Sequence, residues 1–228
     1  MQLNRSQINA SISSAIEIFA RYSIHLPPFA FWTTEEWRHK GHEADELRNC
    51  MLGWDVTDFC SGRFAQIGRT LFTLRNGSVR QPGYGKTFAE KLILDPEGQR
   101  APAHFHIFKT EDIINRAGGN VLVQLSKATA ENTRSPESFS IQVDGESVRL
   151  ESGGIVRLRP GQSVSLPPRT IHQFWGEEGT GTSVSGEVSS VCDDYTDNFF
   201  LEGMCRFPEI DEDEPRRYYL CNEYPPAE

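Results

Sequence analysis

Two histidines, His104 and His106, stand two residues apart with Phe105 between them. In an extended chain successive side chains alternate between faces, so both imidazoles project one way while Phe105 packs the other. Glu111 follows five residues after His106, close enough to reach back across a short turn or from the next strand. His172 comes 66 residues beyond His106, at the end of the stretch 167–172. Three neutral nitrogens and one hard carboxylate oxygen make a ligand set for a divalent transition metal. An ion held in this way polarises a carbonyl group and acidifies the C–H bond beside it. The chain has six histidines, and the other three, His25, His39 and His42, all precede residue 50. Those three read as surface or packing residues.

The elements that must position these ligands follow from the apolar pattern. Ile8, Ile12, Ala15, Ile16 and Phe19 recur at helical spacing, which predicts an amphipathic helix over 6–22. Pro27-Pro28 closes it, and Thr33-x-x-Glu36 is a capping box opening a second helix to about Leu47. Residues 1–50 are expected as a helical N-terminal extension that covers the barrel or another subunit. From Leu52 onward the texture changes to strands. Residues 70–75 run into Asn76-Gly77, the strongest two-residue hairpin signal. The next strand spans 86–94, with Lys91 on the face of Ala89 and Ile93. Gly118-Gly119 breaks the histidine-motif strand and 121–125 resumes it. Asp144-Gly145 predicts a second hairpin, Pro160-Gly161 a further turn, and 182–191 a late strand. Many short strands with turn signals every ~10 residues argue an antiparallel barrel or jelly roll. No internal repeat is visible, so 51–228 read as one barrel unit with a C-terminal tail over the site.

Composition narrows the partners. A hydrophobic share of 37% with 11% aromatics can fill a sizeable core in 228 residues. The net charge of −9 argues against nucleic acid and anionic membrane, both polyanions, and is compatible with a neutral polyol and a divalent cation. The five cysteines, Cys50, Cys60, Cys192, Cys205 and Cys221, are odd in number and contain no C-x-x-C pair. They are expected as free thiols in a reducing cytoplasm. Glu17 and Arg21 interrupt any apolar run near the start, so no signal peptide is expected. No stretch approaches the ~20 apolar residues of a membrane span.

Two motifs carry a resemblance. Gly98, His104, His106, Glu111 and Gly118 fit the first cupin motif, and Gly161, Pro167 and His172 fit the second. The second motif departs at Arg169, where its glycine usually stands, and at Gly176, where asparagine does. Nearly end to end, the chain resembles the D-lyxose isomerase family in its longer bacterial form. His25-Leu26-Pro27-Pro28-Phe29, Leu52-Gly53-Trp54-Asp55-Val56-Thr57, Ala89-Glu90-Lys91 and Cys221-Asn222-Glu223-Tyr224 carry this, with the segments 71–77, 111–116, 186–191 and 210–215.

The resemblance implies an all-β fold, a single cupin jelly-roll barrel with an N-terminal helical extension. It implies a metal-dependent aldose–ketose isomerase acting by enediol proton transfer between D-lyxose and D-xylulose, and between D-mannose and D-fructose. Mn²⁺ is the implied ion, held by His104, His106, Glu111 and His172. The acidic run 209–214, where only Ile210 is uncharged, is expected to fold over the barrel mouth beside Arg206. Glu212 is then the expected enediol base, with Asp211 and Asp213 as competitors. Lys91 reads as an oxyanion stabiliser or a salt-bridged rim lysine. Glu187 binds sugar hydroxyls or shuttles protons if it faces the site, and is otherwise a surface residue. Arg206 is a hydroxyl donor or an ion-pair partner, and Trp175 an apolar wall for the sugar or a core residue. A homodimer is expected from the apolar helix and the sheet edges. The same ligand set admits two other readings, an Fe²⁺-dependent dioxygenase and a non-catalytic sugar-binding cupin.

Overall fold

A computed structural model describes residues 2–227. In chain order, β1 (Leu3–Asn4) leads into α1 (Arg5–Arg21), and two short helices follow, α2 (Thr34–Trp37) and α3 (Asp45–Asn49). The body begins with β2 (Gly53–Thr57), β3 (Arg69–Arg75), β4 (Phe88–Asp95), β5 (His104–Phe105) and β6 (Glu111–Gly118). It continues with β7 (Val121–Lys127), β8 (Phe139–Val143), β9 (Glu146–Leu150), β10 (Gly154–Leu158) and β11 (Ser163–Leu166). Last come β12 (Thr170–Gly176), β13 (Ser183–Ser190), β14 (Phe199–Phe200) and β15 (Ile210–Asp211).

Strands β2 to β14 form two antiparallel sheets, an eight-stranded one ordered β2-β3-β4-β13-β6-β11-β8-β9 and a five-stranded one ordered β10-β7-β12-β5-β14, while β1 and β15 pair with each other in parallel. Their facing sides share one core, built from Leu71, Ile93, Ile113 and Val164 on the first and Val123, Leu125, Leu158 and Phe174 on the second. Each such side chain contributes roughly 1.5–3 kcal/mol when fully buried. That interior closes the jelly-roll barrel expected from the sequence.

A second apolar layer lies on the outer face of β2, β3, β4 and β13. Ile8, Ile12, Ala15 and Phe19 of α1, with Leu3 and Leu220, pack against Trp54, Phe72, Leu92, Leu94 and Val184. This half of the sheet is therefore covered on both sides, which is why β2 is buried at every position instead of alternating. The outer layer anchors these strands, so their inner positions are free to carry Arg69, Lys91, Asp95 and Glu187, all buried.

Several local expectations change. The Thr33–Glu36 capping box forms, with Glu36 N donating to Thr33 Oγ1 at 3.2 Å, but the helix stops at Trp37. The guanidinium of Arg48 binds the carbonyls of Lys40 and Gly41 at 2.7 and 2.8 Å, fixing the break before α3. Asp144-Gly145 forms the expected hairpin, with φ of 50° and 84° joining β8 to β9. Asn76-Gly77 does not. β3 and β4 do pair, but residues 76–87 separate them. Asn76 instead binds the carbonyls of Cys50 and Cys192 at 3.2 and 3.0 Å and accepts Cys192 N at 3.0 Å. The cysteines are not all free, either. Cys60 and Cys205 are joined in a disulfide, their Cα atoms 5.5 Å apart across 145 residues of chain, while Cys50, Cys192 and Cys221 remain thiols.

Candidate active site

The histidine cluster is a product of strand pairing. His104 on β5 sits directly opposite His172 on β12, and His106 follows just past the end of β5. One nitrogen from each ring lies within 4.8 Å of the others. All three Nδ1 atoms face backbone carbonyls, His104 to Pro102 at 2.9 Å, His172 to Thr170 at 3.0 Å and His106 to Asp197. A carbonyl can only accept, so each Nδ1 carries the proton and each Nε2 keeps a lone pair. Burial, first, and the neighbouring histidines hold the His104 imidazole well below its usual range. Burial, with Lys109 adding to it, brings His106 to about 4. Both are neutral at pH 7, the form that ligates a metal.

Glu111 opens β6, with Oε1 at 2.9 Å from His172 Nε2 and 3.7 Å from His106 Nε2. Among the described residues, His106 Nε2 and Glu111 Oε1 are buried atoms without a hydrogen-bond partner. Buried polar atoms are rarely left this way, and a cation satisfies both. Three imidazole nitrogens and a carboxylate fit a divalent metal ion by donor type.

Around the cluster is a narrow cavity of about 50 Å³, lined in addition by Arg69, Lys91, Lys109, Phe174, Glu187, Asp194, Phe200 and Arg206. Its charges interlock. Lys109 Nζ lies 2.6 Å from Glu111 Oε2 and 2.9 Å from Glu187 Oε1. Lys91 pairs across strands with Glu187. Its Nζ lies 3.3 Å from Glu187 Oε1 and donates to Cys192 Sγ at 3.0 Å. Burial alone raises the Glu187 carboxyl, but Lys109 and Lys91 outweigh it and hold the group below its ordinary value. The contacts from Lys91, Lys109 and Ser189 all fall on Oε1, which leaves Oε2 available to a substrate proton. Arg206 bridges Asp55 and Asp194, with Asp194 Oδ2 at 3.1 Å.

The structure thus brings together His104, His106, Glu111, His172, Lys91, Glu187 and Arg206. It does not bring Glu212. That carboxylate accepts Arg5 Nε at 2.9 Å and Nη2 at 2.7 Å, and Arg216 Nε at 3.0 Å, on the far side of the sheet where α1 begins. Asp213 accepts Ser6 N at 2.9 Å, and Asp211 pairs with Asn4. The acidic run clasps the start of α1 because Arg5, fully buried, needs carboxylates around its charge. Trp175 also falls outside the cavity. His172 and Phe174 share the inner face of β12, so Trp175 points the other way, with the Arg100 guanidinium 3.8 Å above its ring. Phe174 and Phe200 form the apolar wall instead. Lys109 was absent from the sequence reading, although its separation of two from Glu111 gives it the same face. Asp194, in the stretch after β13, and Phe200, in the two-residue β14, carried no sequence signal, since both segments are too short or irregular to show a period.

Comparison with known proteins agrees with this geometry. The family model described as D-lyxose isomerase matches residues 3–224. The D-lyxose/D-mannose isomerase of Escherichia coli O157:H7 is 44% identical over 97% of this chain and 98% of its own length. The protein of that name from Serratia proteamaculans is 43% identical over 96% of each. Among solved structures, Acinetobacter sp. DL28 L-ribose isomerase in complex with L-ribose has a TM-score of 0.59 at 15% identity, covering 89% of this chain and 94% of its own. Cellulomonas parahominis L-ribose isomerase without ligand has a TM-score of 0.55 at 18% identity over the same shares. At such identities the two structures attest the fold. The end-to-end match to the family and to its curated members, on a barrel that gathers three histidines at one cavity, means that this chain belongs to the D-lyxose isomerase family and is a sugar isomerase.

Proposed function

We propose that the enzyme interconverts D-lyxose with D-xylulose, and D-mannose with D-fructose, by proton transfer through an enediol. The relatives named D-lyxose/D-mannose isomerase, at 43–44% identity over nearly their whole length, support the choice of sugars. The observation that carries the chemistry is Glu187, a buried carboxylate with one oxygen tied to two lysines, on the wall of the histidine cavity.

His104, His106, His172 and Glu111 would hold Mn²⁺. When bound, the ion supplies the Lewis acidity that polarises the sugar carbonyl and steadies negative charge on its oxygen. Glu187 Oε2 takes the proton from C2 of the aldose and returns it at C1, while the hydroxyl proton on O2 passes to O1. The carbon proton transfer is the role that the sequence assigned to Glu212. Lys91 stays protonated, since its carboxylate neighbours outweigh the burial that opposes its charge, and it stabilises the developing oxyanion. Lys109 locks Glu111 and Glu187 in mutual register. Arg206 binds a sugar hydroxyl while Asp55 and Asp194 fix its guanidinium. Phe174 and Phe200 give the carbon chain an apolar surface and exclude water.

No helix among the described residues is long and apolar enough to cross a membrane. Three free thiols suit a reducing compartment, so we assign the enzyme to the cytoplasm. Its assembly is proposed as a homodimer, and light scattering of the purified enzyme gives the mass directly. A coupled assay for ketose formation from D-lyxose, run with Mn²⁺ and after chelation, tests the function. No ketose in the presence of metal would overturn it.

A further inference from the structure

The Cys60–Cys205 disulfide joins two segments that each contribute the adjacent residue to the cavity wall. Phe59, next to Cys60, and Arg206, next to Cys205, both line the cavity. The end of β2 and the loop after it meet the tail through two further links. Cys205 N donates to Phe59 O at 3.3 Å, and Thr57 Oγ1 donates to Arg206 O at 3.0 Å. Phe59 in turn meets Phe200 edge-on, ring centres 5.7 Å apart.

The loop side of the bridge is held in an uncommon shape. Phe59 and Cys60 have φ of 55° and 62°, two consecutive left-handed residues of which neither is glycine. Asp58 steadies the turn by accepting Cys60 N at 3.0 Å and Gly62 N at 2.9 Å. The disulfide fastens this turn, and with it Phe59, to the tail. Cys60 is exposed. It borders a surface hollow of about 310 Å³ shared with Asp58, Gly62, Pro208 and Glu209, so a small thiol reaches the sulfur without passing through the catalytic cavity. Disulfides in cytoplasmic proteins are mostly transient and redox-sensing.

From this geometry we infer that Cys60–Cys205 is a thiol–disulfide exchange site that sets the affinity of the isomerase for its sugar, an inference resting on the function proposed above. The thiolate of a low-molecular-weight thiol attacks Cys60 Sγ. The S–S bond breaks, a mixed disulfide forms on Cys60, and Cys205 leaves as a thiolate that takes a proton from water. A second thiol attacks the mixed disulfide, releasing the small-molecule disulfide and the Cys60 thiol. Two thiols are thereby oxidised and one protein disulfide is reduced, and the small-molecule disulfide drives the reverse. If the reduced wall is correctly formed about a tenth of the time, KM rises roughly tenfold while kcat at saturation is little changed.

The test compares full-length enzyme oxidised with glutathione disulfide and reduced with glutathione, both in excess Mn²⁺. Iodoacetamide labelling under denaturing conditions counts thiols in each, and KM and kcat for D-lyxose are measured in parallel. Three labelled cysteines in the oxidised form and five in the reduced form are expected, with KM rising on reduction and falling on reoxidation. Cys60→Ser and Cys205→Ser, checked for folding by circular dichroism, should show the high KM at once and no response to glutathione. Five labelled cysteines after oxidation would overturn the inference, as would a disulfide that resists glutathione in the folded enzyme. So would reduction, or either serine variant, with KM unchanged. The oxidised enzyme is the internal control, because failure to isomerise D-lyxose there is a failure of the proposed function and not of the switch.

Discussion

Glu212→Gln and Glu187→Gln should fail in opposite ways, and the contrast tests the assignment of the base. Glu212 is 41% exposed and shares the fully buried Arg5 with Glu223. Hydrogen bonds to charged groups contribute roughly 1.5–3 kcal/mol. The glutamine keeps an acceptor oxygen, Glu223 keeps the cation paired, and solvent screens the exposed half, so the loss should be about 1–2 kcal/mol at pH 7. Its pH dependence has a definite sign. Hydrogen bonds from Arg5, foremost, hold the Glu212 carboxyl at about 2 against an ordinary 4.5. The stabilisation is therefore complete above pH 4.5 and fades as pH falls toward 2. Urea unfolding followed by circular dichroism should show the gap between wild type and Glu212→Gln narrowing across that window. Turnover of D-lyxose at pH 7 should stay near the wild-type rate. Glu187→Gln, by contrast, should lose ~10²–10⁴-fold in kcat with metal content retained. A hundredfold loss of kcat in folded Glu212→Gln would refute the reasoning and return the base to the tail.

Alanine at His106 or Glu111 should leave the purified protein without stoichiometric metal, read by elemental analysis, with circular dichroism confirming that the barrel persists. Lys109→Met leaves the Glu111 and Glu187 carboxylates facing each other without their shared ammonium. Breaking a buried pair in this way costs about 3–5 kcal/mol, and a urea-derived loss under ~1 kcal/mol would show that Lys109 is not the lock described. D-Xylose and D-glucose, inverted at C2 relative to D-lyxose and D-mannose, should be poor aldose substrates. Equal rates on D-glucose and D-lyxose would contradict the proposed stereochemistry.

What was legible in the sequence was whatever a short-range rule could reach. Spacing of two put His104 and His106 on one face, helical spacing gave α1, and Asp144-Gly145 gave its hairpin. Applied one residue further, the same alternation would have rejected Trp175 in favour of Phe174. The failures were long-range. Asn76-Gly77 has hairpin chemistry, but the buried carbonyls of Cys50 and Cys192 take its side chain. The Cys60–Cys205 pairing crosses 145 residues with no local motif to announce it. The acidic tail took its catalytic role from the family resemblance, and its partner was not visible in the sequence. Arg5 lies at the opposite end of the chain, and only the parallel pairing of β1 with β15 brings the two together.

The two apolar layers and the charged cavity are one arrangement seen from different sides. A sheet packed on one face alone cannot spare its inner positions for ions, because those positions supply the burial that holds it. Here α1 and Leu220 cover the outer face of β2, β3, β4 and β13, so the inner face can hold Arg69, Lys91 and Glu187. Four cationic side chains line the cavity, Arg69, Lys91, Lys109 and Arg206. Five carboxylates answer them, Glu111, Glu187 and Asp194 on the wall and Asp55 and Asp95 bound to the two arginines. Apart from the histidines, the set carries a single net negative charge. In the proposed mechanism a divalent cation would reverse that to a single positive charge, the sign that favours an oxygen gaining negative charge. Clasping Arg5 with the C-terminal carboxylates keeps α1 seated on the sheet, and so the tail serves catalysis by holding the layer that lets a charged cavity exist.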